Sequence, residues 1–355
     1  MKFENAHISL MMIVKNETKT LPRLIESVLP LIKSWRIIDT GSTDGTQALI
    51  QELLGHLPGE LIERPWVNFG HNRSELVAKF HPAANFGLLL DADQIVEFDE
   101  DIWSSKIENA DKYQIKVFEG ELVYRMTYLV KARSGFKYVG STHEVLDADS
   151  RMKRVLYDKI SVRHVGDGGA KADKFERDER MLLEDIASRN ATARTYFYLA
   201  QTQATLQKND AAIKNYEICI RLSRWNEERY IACLRAGRIL FSTEPERALE
   251  FFEQGNQIIP TRIECAYEAA RVLADLNQHE RAVAILTQAI SQSNLEATLF
   301  VESWIYSWGA QMQLGVSQWW SGDKAAAKAT FEKALQADDL TDSGRERLHS
   351  NLEMC

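Results

Sequence analysis

The fold is decided by residues 86–93, which read Phe86-Gly87-Leu88-Leu89-Leu90-Asp91-Ala92-Asp93. The apolar run predicts a buried strand, and the two acids at its end need a partner because burying an unpaired carboxylate is costly. Oxygen ligands and high charge density suit Mg²⁺ or Mn²⁺, which usually keeps waters and is completed by substrate phosphates. This stretch is therefore typical of a metal-bridged nucleotide site. The alternative is that the acids cap the next helix or lie in a solvated turn.

The composition is that of a globular protein with room for two domains. The chain has 355 residues, of which 45% are hydrophobic and 26% are charged. Its net charge of −8 gives an average surface that does not attract nucleic acid or anionic membranes. The apolar segment Ile8–Val14 is too short to cross a bilayer, so we expect neither a membrane span nor a signal peptide. The cysteines form no Cys-x-x-Cys pair, so we expect a reducing, cytoplasmic location without a zinc site or disulfide framework.

The first half of the chain alternates short apolar runs with amphipathic stretches. This order is typical of βαβ units, and it predicts a Rossmann-like, largely parallel sheet flanked by helices. Strands are predicted at 8–14, 36–38, 61–62, 86–90, 113–118 and 122–130, and helices at 21–32, 46–54 and 72–80.

The sequence becomes almost wholly helical after the glycine cluster Gly166-Asp167-Gly168-Gly169. We predict a domain boundary there, with an α/β domain over 1–168 and an all-α domain over 169–355. Small and large apolar residues recur in the helical half with one internal spacing. The four sets are Ala200, Ala212, Tyr216 and Cys219; Ala236, Ala248, Phe252 and Gly255; Ala270, Ala282, Leu286 and Ala289; and Gly315, Ala327, Phe331 and Ala334.

The helical half resembles the tetratricopeptide repeat, a helix pair with a period of about 34 residues. The sets begin at 200, 236, 270 and 315, so we expect an insertion of about ten residues near 291–301. A helical bundle without repeats is the alternative. In either case the helical surface is expected to bind a partner or to brace the first domain.

Two further polar segments follow predicted strands. The first strand ends in Val14-Lys15-Asn16-Glu17, and the second ends in Asp39, followed by a Thr-Gly-Ser-Thr-Asp-Gly-Thr segment over 40–46. Ligands of open α/β sheets bind beyond the carboxyl ends of the strands, so both segments should face the same crevice as Asp91 and Asp93. Asp39 could accept hydrogen bonds from a nucleotide base or ribose. The segment 40–46 is expected to make a tight turn and to cap the next helix.

These motifs together resemble the family 2 glycosyltransferases with the GT-A fold. That family carries a Val-Lys-Asn-Glu-like motif, an Asp-x-Gly-Ser-Thr-Asp-Gly-Thr turn and Asp-x-Asp after the fourth strand, in this order. Further segments resemble the branch of the family with tetratricopeptide repeats, and the resemblance covers nearly the whole chain. They are Arg64-Pro65-Trp66, Phe69-Gly70-His71-Asn72-Arg73, Gly140-Ser141-Thr142-His143-Glu144 and Trp225-Asn226-Glu227-Glu228.

The resemblance implies a nucleotide and metal site. Asp93 would be the principal metal ligand toward the diphosphate, Asp91 would touch the ribose or the metal and its water, and His164 would be a third ligand, which suits Mn²⁺ better than Mg²⁺. A core or hinge histidine is the competing interpretation of His164. Asn16, Glu17 and Asp39 would bind the nucleotide sugar.

Two further segments complete the implied site. Asn72 and Arg73 would open a helix whose N-terminus and guanidinium recognise phosphate or ribose, with a surface salt bridge as the alternative for Arg73. Glu144 would be the base that accepts the acceptor's proton, and His143 its neighbour in the acceptor site. The chain lacks the Glu-Asp pair that many family members have there, which leaves the identity of the base open.

The leading hypothesis is a metal-dependent inverting glycosyltransferase that uses a nucleoside-diphosphate sugar, with UDP favoured, and Mn²⁺ or Mg²⁺. A peptide, protein or glycan is the expected acceptor, and a homodimer is compatible with the helical array. The second hypothesis is a helical-repeat interaction protein whose α/β domain binds a nucleotide without turnover. A sugar nucleotidyltransferase is a third class, but it typically needs a glycine-rich, basic N-terminal loop, which Lys15-Asn16-Glu17 does not supply.

Overall fold

The computed structural model describes residues 1–120, 122–147, 152–167, 174–294, 297 and 299–355. The chain forms two compact units, Met1–Ala187 and Ser188–Cys355. The predicted domain boundary between residues 168 and 169 lies outside the described residues.

The first unit is an α/β unit. Its strands are β1 Ile8–Val14, β2 Ser34–Asp39, β3 Gly59–Glu63, β4 Phe86–Leu89, β5 Gln94–Phe98, β6 Lys112–Glu119, β7 Leu122–Lys131, β8 Lys137–Val139, β9 Val145–Asp147 and β10 Arg154–His164. Its helices are α1 Leu21–Val28, α2 Thr46–Leu54, α3 Phe69–Val77 and α4 Lys174–Ala187.

Eight of these strands form one sheet in the order β3-β2-β1-β4-β7-β6-β10-β5, and β8 pairs with β9 in a separate hairpin. The half made of β3, β2, β1 and β4 is parallel throughout, and β6 also runs parallel to β10. The pairs β4 with β7, β6 with β7 and β5 with β10 are antiparallel. The prediction of a mostly parallel, Rossmann-like sheet is confirmed.

The central strand β1 explains why the sheet is covered on both faces. Leu10 and Met12 belong to one buried cluster with the apolar face of α1, whereas Met11 belongs to a second cluster with Leu76 and Val77 of α3. Successive side chains of a strand point to opposite faces, so a strand with apolar side chains on both faces must be covered twice.

Several predicted elements differ from the observed ones at their ends. The predicted helix 21–32 ends at Val28 and continues as a 3-10 turn at Leu29–Leu31, which contains Pro30, a residue without a backbone N–H to donate. Helix α3 begins at Phe69 rather than residue 72, because the Asn68 side chain caps it by accepting a hydrogen bond from the His71 N–H. The sequence patterns did not predict β5, β8, β9 or β10.

The second unit is built from paired helices. They are α5 Ala193–Thr205, α6 Asn209–Leu222, α7 Asn226–Leu240, α8 Pro245–Ile258, α9 Glu264–Asp275, α10 His279–Gln292, α11 Ala310–Trp320, α12 Lys324–Ala334 and α13 Asp342–Glu353, with a π-helical turn at Ile305–Gly309. The pairs are α5 with α6, α7 with α8, α9 with α10 and α11 with α12. All sixteen residues of the predicted repeat pattern are buried, as the pattern requires.

The recurring small residues let neighbouring helices approach closely. A Cβ added to Gly237 would lie 2.4 Å from Cε1 of Phe252, and one added to Gly315 would lie 2.5 Å from Cε1 of Phe331. A glycine thus lies against a phenylalanine ring in each of two helix pairs, at the repeat position in Gly315 and one residue after it in Gly237.

The connection between α10 and the π-helical turn spans 293–304, whereas those between α6 and α7 and between α8 and α9 span 223–225 and 259–263. The predicted insertion between the third and fourth repeats is confirmed. Among the described residues, no helix has the length and hydropathy needed to cross a membrane.

Replacing Gly237 with alanine should destabilise the second unit, although alanine is the better helix former. The new Cβ would force the Phe252 ring to move, so the free energy of unfolding should fall by about 1–3 kcal/mol, measured by urea unfolding with circular dichroism. Combining Gly237→Ala with Phe252→Leu should recover part of the loss. Glu250→Ala, an exposed change on α8, should shift stability by less than about 0.5 kcal/mol. Full stability in Gly237→Ala would contradict the close contact.

Candidate functional site

The loops that follow β1 and β2 are joined by hydrogen bonds at the carboxyl ends of the two strands. Val14 is paired with Asp39 in the sheet register, so both loops leave the same edge. Asn16 has a φ of 58°, a left-handed conformation that Asn tolerates better than most residues. Its Oδ1 accepts from the Thr43 N–H at 2.8 Å, and its N–H donates to Ser42 Oγ at 2.9 Å. The predicted proximity of the two loops is thus observed.

Glu17 and the segment 40–46 continue this network. The Glu17 N–H donates to Thr46 Oγ1 at 2.8 Å, and Glu17 Oε2 accepts from Thr20 Oγ1 at 2.6 Å. Asp44 accepts from the Thr46 N–H and from Thr18, as a turn and cap residue does. Burial alone would raise the pKa of Asp44, but the hydrogen bonds from Thr46 and Thr18 lower it to about 2. Asp44 is therefore ionised as it holds the loops together.

Asp39 is a buried carboxylate with one oxygen to spare. Its Oδ1 accepts hydrogen bonds from the N–H groups of Gly41 and Ser42 and from Nε2 of Gln47, at 2.9–3.0 Å. Asp39 is only 1% exposed, so its Oδ2 is also shielded from water. This second oxygen has no hydrogen-bond partner among the described residues. Burial alone would raise the pKa of Asp39, but the bonds from Ser42, Gln47 and Gly41 lower it. A buried carboxylate oxygen that accepts no hydrogen bond from the protein is suited to accept one from a ligand.

The two acids beyond β4 have different partners. Asp91 forms an ion pair with Arg73, with 2.5 Å between Nη2 and Oδ1. Asp93 instead lies beside His164, with 3.2 Å between its Oδ2 and the imidazole Nε2. The two acids, although only two positions apart, therefore face different partners, and the roles predicted for them stay predictions.

His164 reaches Asp93 because β10 pairs with β5 directly after the acids. His164 is opposite Gln94 in this register, and the Val165 N–H donates to the Asp93 carbonyl at 3.0 Å. The hydrogen bond to Asp93 raises the pKa of His164, against a smaller opposing effect of burial. The structure thus brings together two of the three predicted metal ligands, which are far apart in the sequence.

Arg73 lies between two acids rather than on the surface, with its side chain only 18% exposed. Its Nε lies 2.8 Å from Oε1 of Glu144, as an ion pair without the alignment of a hydrogen bond, and its guanidinium stacks on the Tyr138 ring at 5.8 Å. Burial alone would lower the pKa of Arg73, but Asp91 and Glu144 raise it. One cation therefore joins the acid after β4 to the predicted catalytic base.

Asn72 has a different environment from Arg73. Its Oδ1 accepts from the Val67 N–H at 3.0 Å, and its Nδ2 donates to the Pro65 carbonyl at 3.1 Å. Both ends of the amide are committed to the loop before α3. Asn72 thus holds that loop in place. The expected binding of phosphate or ribose by Asn72 stays a prediction.

Glu144 and His143 belong to the tight connection between β8 and β9. Gly140 and His143 have left-handed φ values of 106° and 49°. The Phe69 N–H donates to the carbonyl of Ser141 at 3.1 Å, and Ser141 Oγ donates to Asp185 at 2.7 Å. These bonds fix the hairpin against the start of α3 and against α4.

Gly70 permits the approach of the hairpin to α3. A Cβ at this position would lie 2.2 Å from the carbonyl oxygen of Gly140, which is closer than any real contact. The helix that carries Arg73 and the hairpin that carries Glu144 can therefore meet only because residue 70 has no side chain.

The donor atoms near Asp93 suit a divalent cation in part. Within the described ranges, no group of three or more His, Cys, Asp or Glu side chains is arranged to hold a metal ion. Asp93 and His164 offer one carboxylate and one imidazole, a combination that suits Mn²⁺. Asp91 is paired with Arg73, so the remaining positions would fall to water and substrate phosphates. The residues fit a metal that is shared with a ligand.

Three residues of this region were not predicted from the sequence. Gln94 accepts from the Asp91 N–H at 3.0 Å and donates to the Tyr128 hydroxyl at 2.7 Å, which anchors the acidic turn. Tyr138 packs on Arg73, and burial raises the pKa of its hydroxyl to about 12. Gln94 directly follows the acids and could have been noticed, whereas the two tyrosines lie in strands without a distinctive pattern.

The comparisons with known proteins agree with this architecture. Residues 9–113 match the family model described as Glycosyl transferase family 2, and residues 263–294 and 310–338 match models described as Tetratricopeptide repeat. The first unit therefore contains a family 2 glycosyl transferase domain, and the second contains tetratricopeptide repeats. The alternative of a helical bundle without repeats is wrong.

Individual relatives match the chain over about half of its length. A TPR repeat-containing protein of Synechococcus elongatus is 25% identical over 194 residues, which cover 50% of this chain and 46% of that protein. The chain thus spans about half the length of this curated relative.

Similar solved structures include two TPR proteins and MamA. One is a thermophilic TPR protein of Thermus thermophilus, at 20% identity over 51% of this chain and 91% of that chain, with a TM-score of 0.36. MamA of Desulfovibrio magneticus is 14% identical over 46% of this chain and 92% of that chain, with a TM-score of 0.34. YrrB, a TPR protein with an unusual peptide-binding site, has 16% identity over 50% and 84%, with a TM-score of 0.38.

Replacing Gly70 with alanine should loosen the hairpin from α3. The Cβ would collide with the Gly140 carbonyl, so the hydrogen bond from the Phe69 N–H to Ser141 should break and stability should fall by about 1–3 kcal/mol. Hydrogen exchange should show a faster-exchanging Phe69 amide. Lys79→Ala, just beyond the other end of α3, should leave that amide protected. Unchanged protection in Gly70→Ala would show that the hairpin is held in another way.

Proposed function

We propose that this protein is an inverting glycosyltransferase that moves a sugar from a nucleoside-diphosphate sugar to an acceptor hydroxyl. The observation that carries the proposal is the convergence of three unlike groups at one sheet edge. They are the Asp39 carboxylate with its spare oxygen, the Asp93–His164 pair and the Arg73–Glu144 pair. The family 2 match over 9–113 supports this reaction class.

The Asp39 carboxylate supports a nucleotide as the donor's leaving group. Its unpartnered Oδ2 is an ionised acceptor, which can take a hydrogen bond from the imide N–H of a uracil or from a ribose hydroxyl. A UDP-sugar is therefore the donor that we propose. Asn16 and Glu17 would act by holding the loops around the nucleotide, since their polar groups bind the segment 40–46 and Thr20.

Asp93 and His164 would hold the divalent cation. A bound Mn²⁺ or Mg²⁺ would neutralise the charge that develops on the departing diphosphate. Asp91, which is paired with Arg73, would accept hydrogen bonds from the ribose or from a metal-bound water. Arg73 places a positive charge beside this region and favours the same anionic ligand.

Glu144 would accept the proton of the acceptor hydroxyl. As the hydroxyl oxygen attacks the anomeric carbon on the face opposite the diphosphate, its proton passes to Glu144 and the sugar–phosphate bond breaks. Glu144 lies beside Arg73 as its ion-pair partner, with 2.8 Å between Oε1 and Nε. Arg73 keeps its pair with Asp91 once Glu144 is neutral, which prevents a buried guanidinium from being left alone.

The tetratricopeptide repeats support a protein partner. A repeat array offers an extended helical surface, so a peptide or protein is the acceptor that we propose, with a glycan or a second copy of the chain as alternatives. A nucleotide-binding interaction protein without turnover is the competing function. A panel of nucleotide sugars with Mn²⁺, Mg²⁺ or chelator, read by thermal shift and nucleoside diphosphate release, separates the two. Stabilisation by metal and nucleotide without any release would favour the competitor.

Replacing Asp93 with alanine should abolish metal-dependent transfer and leave the fold intact. The departing diphosphate would lose the cation that this carboxylate holds, so turnover should fall by about 10²–10³-fold, measured as nucleoside diphosphate release. Asp158→Ala, at a carboxylate whose side chain is 62% exposed, is the matched control and should keep normal turnover. Near-normal activity of the Asp93 variant would show that the metal site is misplaced.

Replacing Glu144 with glutamine should preserve donor binding and lose transfer. Glutamine keeps the shape but cannot accept the proton, so kcat should fall by about 10²–10⁴-fold while nucleoside diphosphate affinity changes by less than about threefold. Steady-state assays of nucleoside diphosphate release measure kcat, and isothermal titration calorimetry measures the affinity for the nucleoside diphosphate. Glu108→Gln, at a side chain that is 63% exposed, should behave as the unchanged protein does. A loss of donor affinity equal to the loss of rate would argue against Glu144 as the base.

A further inference from the structure

Residues Leu299–Glu302 belong to the insertion between the third and fourth repeats and contact one face of α7. We call these four residues the strap. The Leu299 N–H donates to Oε2 of Glu227 at 2.6 Å, and the Phe300 ring lies 4.6 Å from the Arg235 guanidinium. Both carboxylate oxygens of Glu302 accept from Arg238, at 2.7 and 3.1 Å.

The contacted residues of α7 form a continuous row. Glu227, Arg235 and Arg238 are separated by eight and three positions, a spacing that places them along one side of an α-helix. The strap therefore follows the helix and pairs a different chemical group with each position. It contributes a backbone donor, an aromatic ring and a carboxylate.

Arg262 recognises the backbone of the same strap. Its Nη1 donates to the Leu299 carbonyl at 2.9 Å and its Nη2 to the Phe300 carbonyl at 3.3 Å. This arginine is 1% exposed and is held in place by a buried ion pair with Glu264 at 2.6 Å. A donor that binds main-chain carbonyls does not depend on side-chain identity, whereas Arg235 and Arg238 contact the side chains of the strap.

The surface beneath the strap is complete without it. Arg238 also pairs with Glu268 at 2.7 Å, and Arg235 also contacts Gln201 and the ring of Phe197. Removal of Glu302 would thus leave both guanidinium groups in contact with the rest of the unit, and among the described residues Arg238 would have one carboxylate partner in place of two.

The strap is held in a costly backbone conformation. Phe300 has a φ of 46°, a left-handed value that is rare for a bulky residue. A separate peptide could place an aromatic ring and a carboxylate on the same arginines without this strain.

We propose that this face of α7 binds an extended peptide with an aromatic residue two positions before an acidic one, and that the strap is an internal ligand which such a peptide displaces. The partner is thus a protein segment of acidic and aromatic character. This inference concerns the second unit and does not depend on the proposed glycosyl transfer.

The test uses the full chain and a fluorescent hexapeptide with the sequence of residues 299–304, blocked at both ends. Anisotropy titration should show that the variant Phe300→Ala with Glu302→Ala binds the peptide at least tenfold more tightly than the unchanged protein. Adding Arg238→Ala should reverse the gain, and a peptide with its Phe and Glu replaced by alanine should not bind. Glu332→Ala, at an exposed acid on α12, is the matched control and should bind as the unchanged protein does.

A folded double variant that binds no more tightly than the unchanged protein would overturn the proposal, and so would equal binding of the alanine peptide or indifference to Arg238→Ala. Self-association of the double variant without peptide binding, seen by sedimentation, would assign the surface to a second copy and likewise overturn it. If the double variant loses its helical circular dichroism, the conservative pair Phe300→Leu with Glu302→Gln replaces it. The proposal then requires that this pair bind the peptide more tightly than the unchanged protein and that Arg238→Ala reverse the gain.

Discussion

One buried cation, the guanidinium of Arg73, holds the site of the first unit together. It pairs with Asp91 after β4 and with Glu144 in the hairpin, and it packs on Tyr138. These groups come from separate parts of the chain and would repel one another without it, since two carboxylates close together cannot both stay ionised at low cost. A single charge therefore links α3, the turn of Asp91–Asp93 and the hairpin.

Sequence reasoning succeeded where a local pattern determines local structure. Strand β1 and helix α2 have the predicted bounds, because a strongly apolar run and a turn-plus-cap segment are short-range signals. The repeats were also predicted, since each buried small residue has a counterpart one period later. The segments after β1 and β2 were expected to meet because the carboxyl ends of parallel strands share an edge.

The rest depended on contacts between distant residues. β10 was missed although it delivers His164 to Asp93, because its residues alternate in burial without forming an apolar run. The start of α3 was misplaced because the cap at Asn68 was overlooked. No pattern in the sequence indicates that residues 73, 91 and 144 form one ion-pair network. Such a network exists only once the tertiary fold has brought the charges together.

The hydrogen bonds between the loops after β1 and β2 have a consequence for the thermodynamics of ligand binding. Asn16 with Thr43, Glu17 with Thr46 and Thr18 with Asp44 order both loops through hydrogen bonds made within the chain. The conformational entropy of these loops is thus lost when the chain folds rather than when a nucleotide arrives. Binding at this edge should carry a small heat-capacity change, close to that of docking onto a rigid surface.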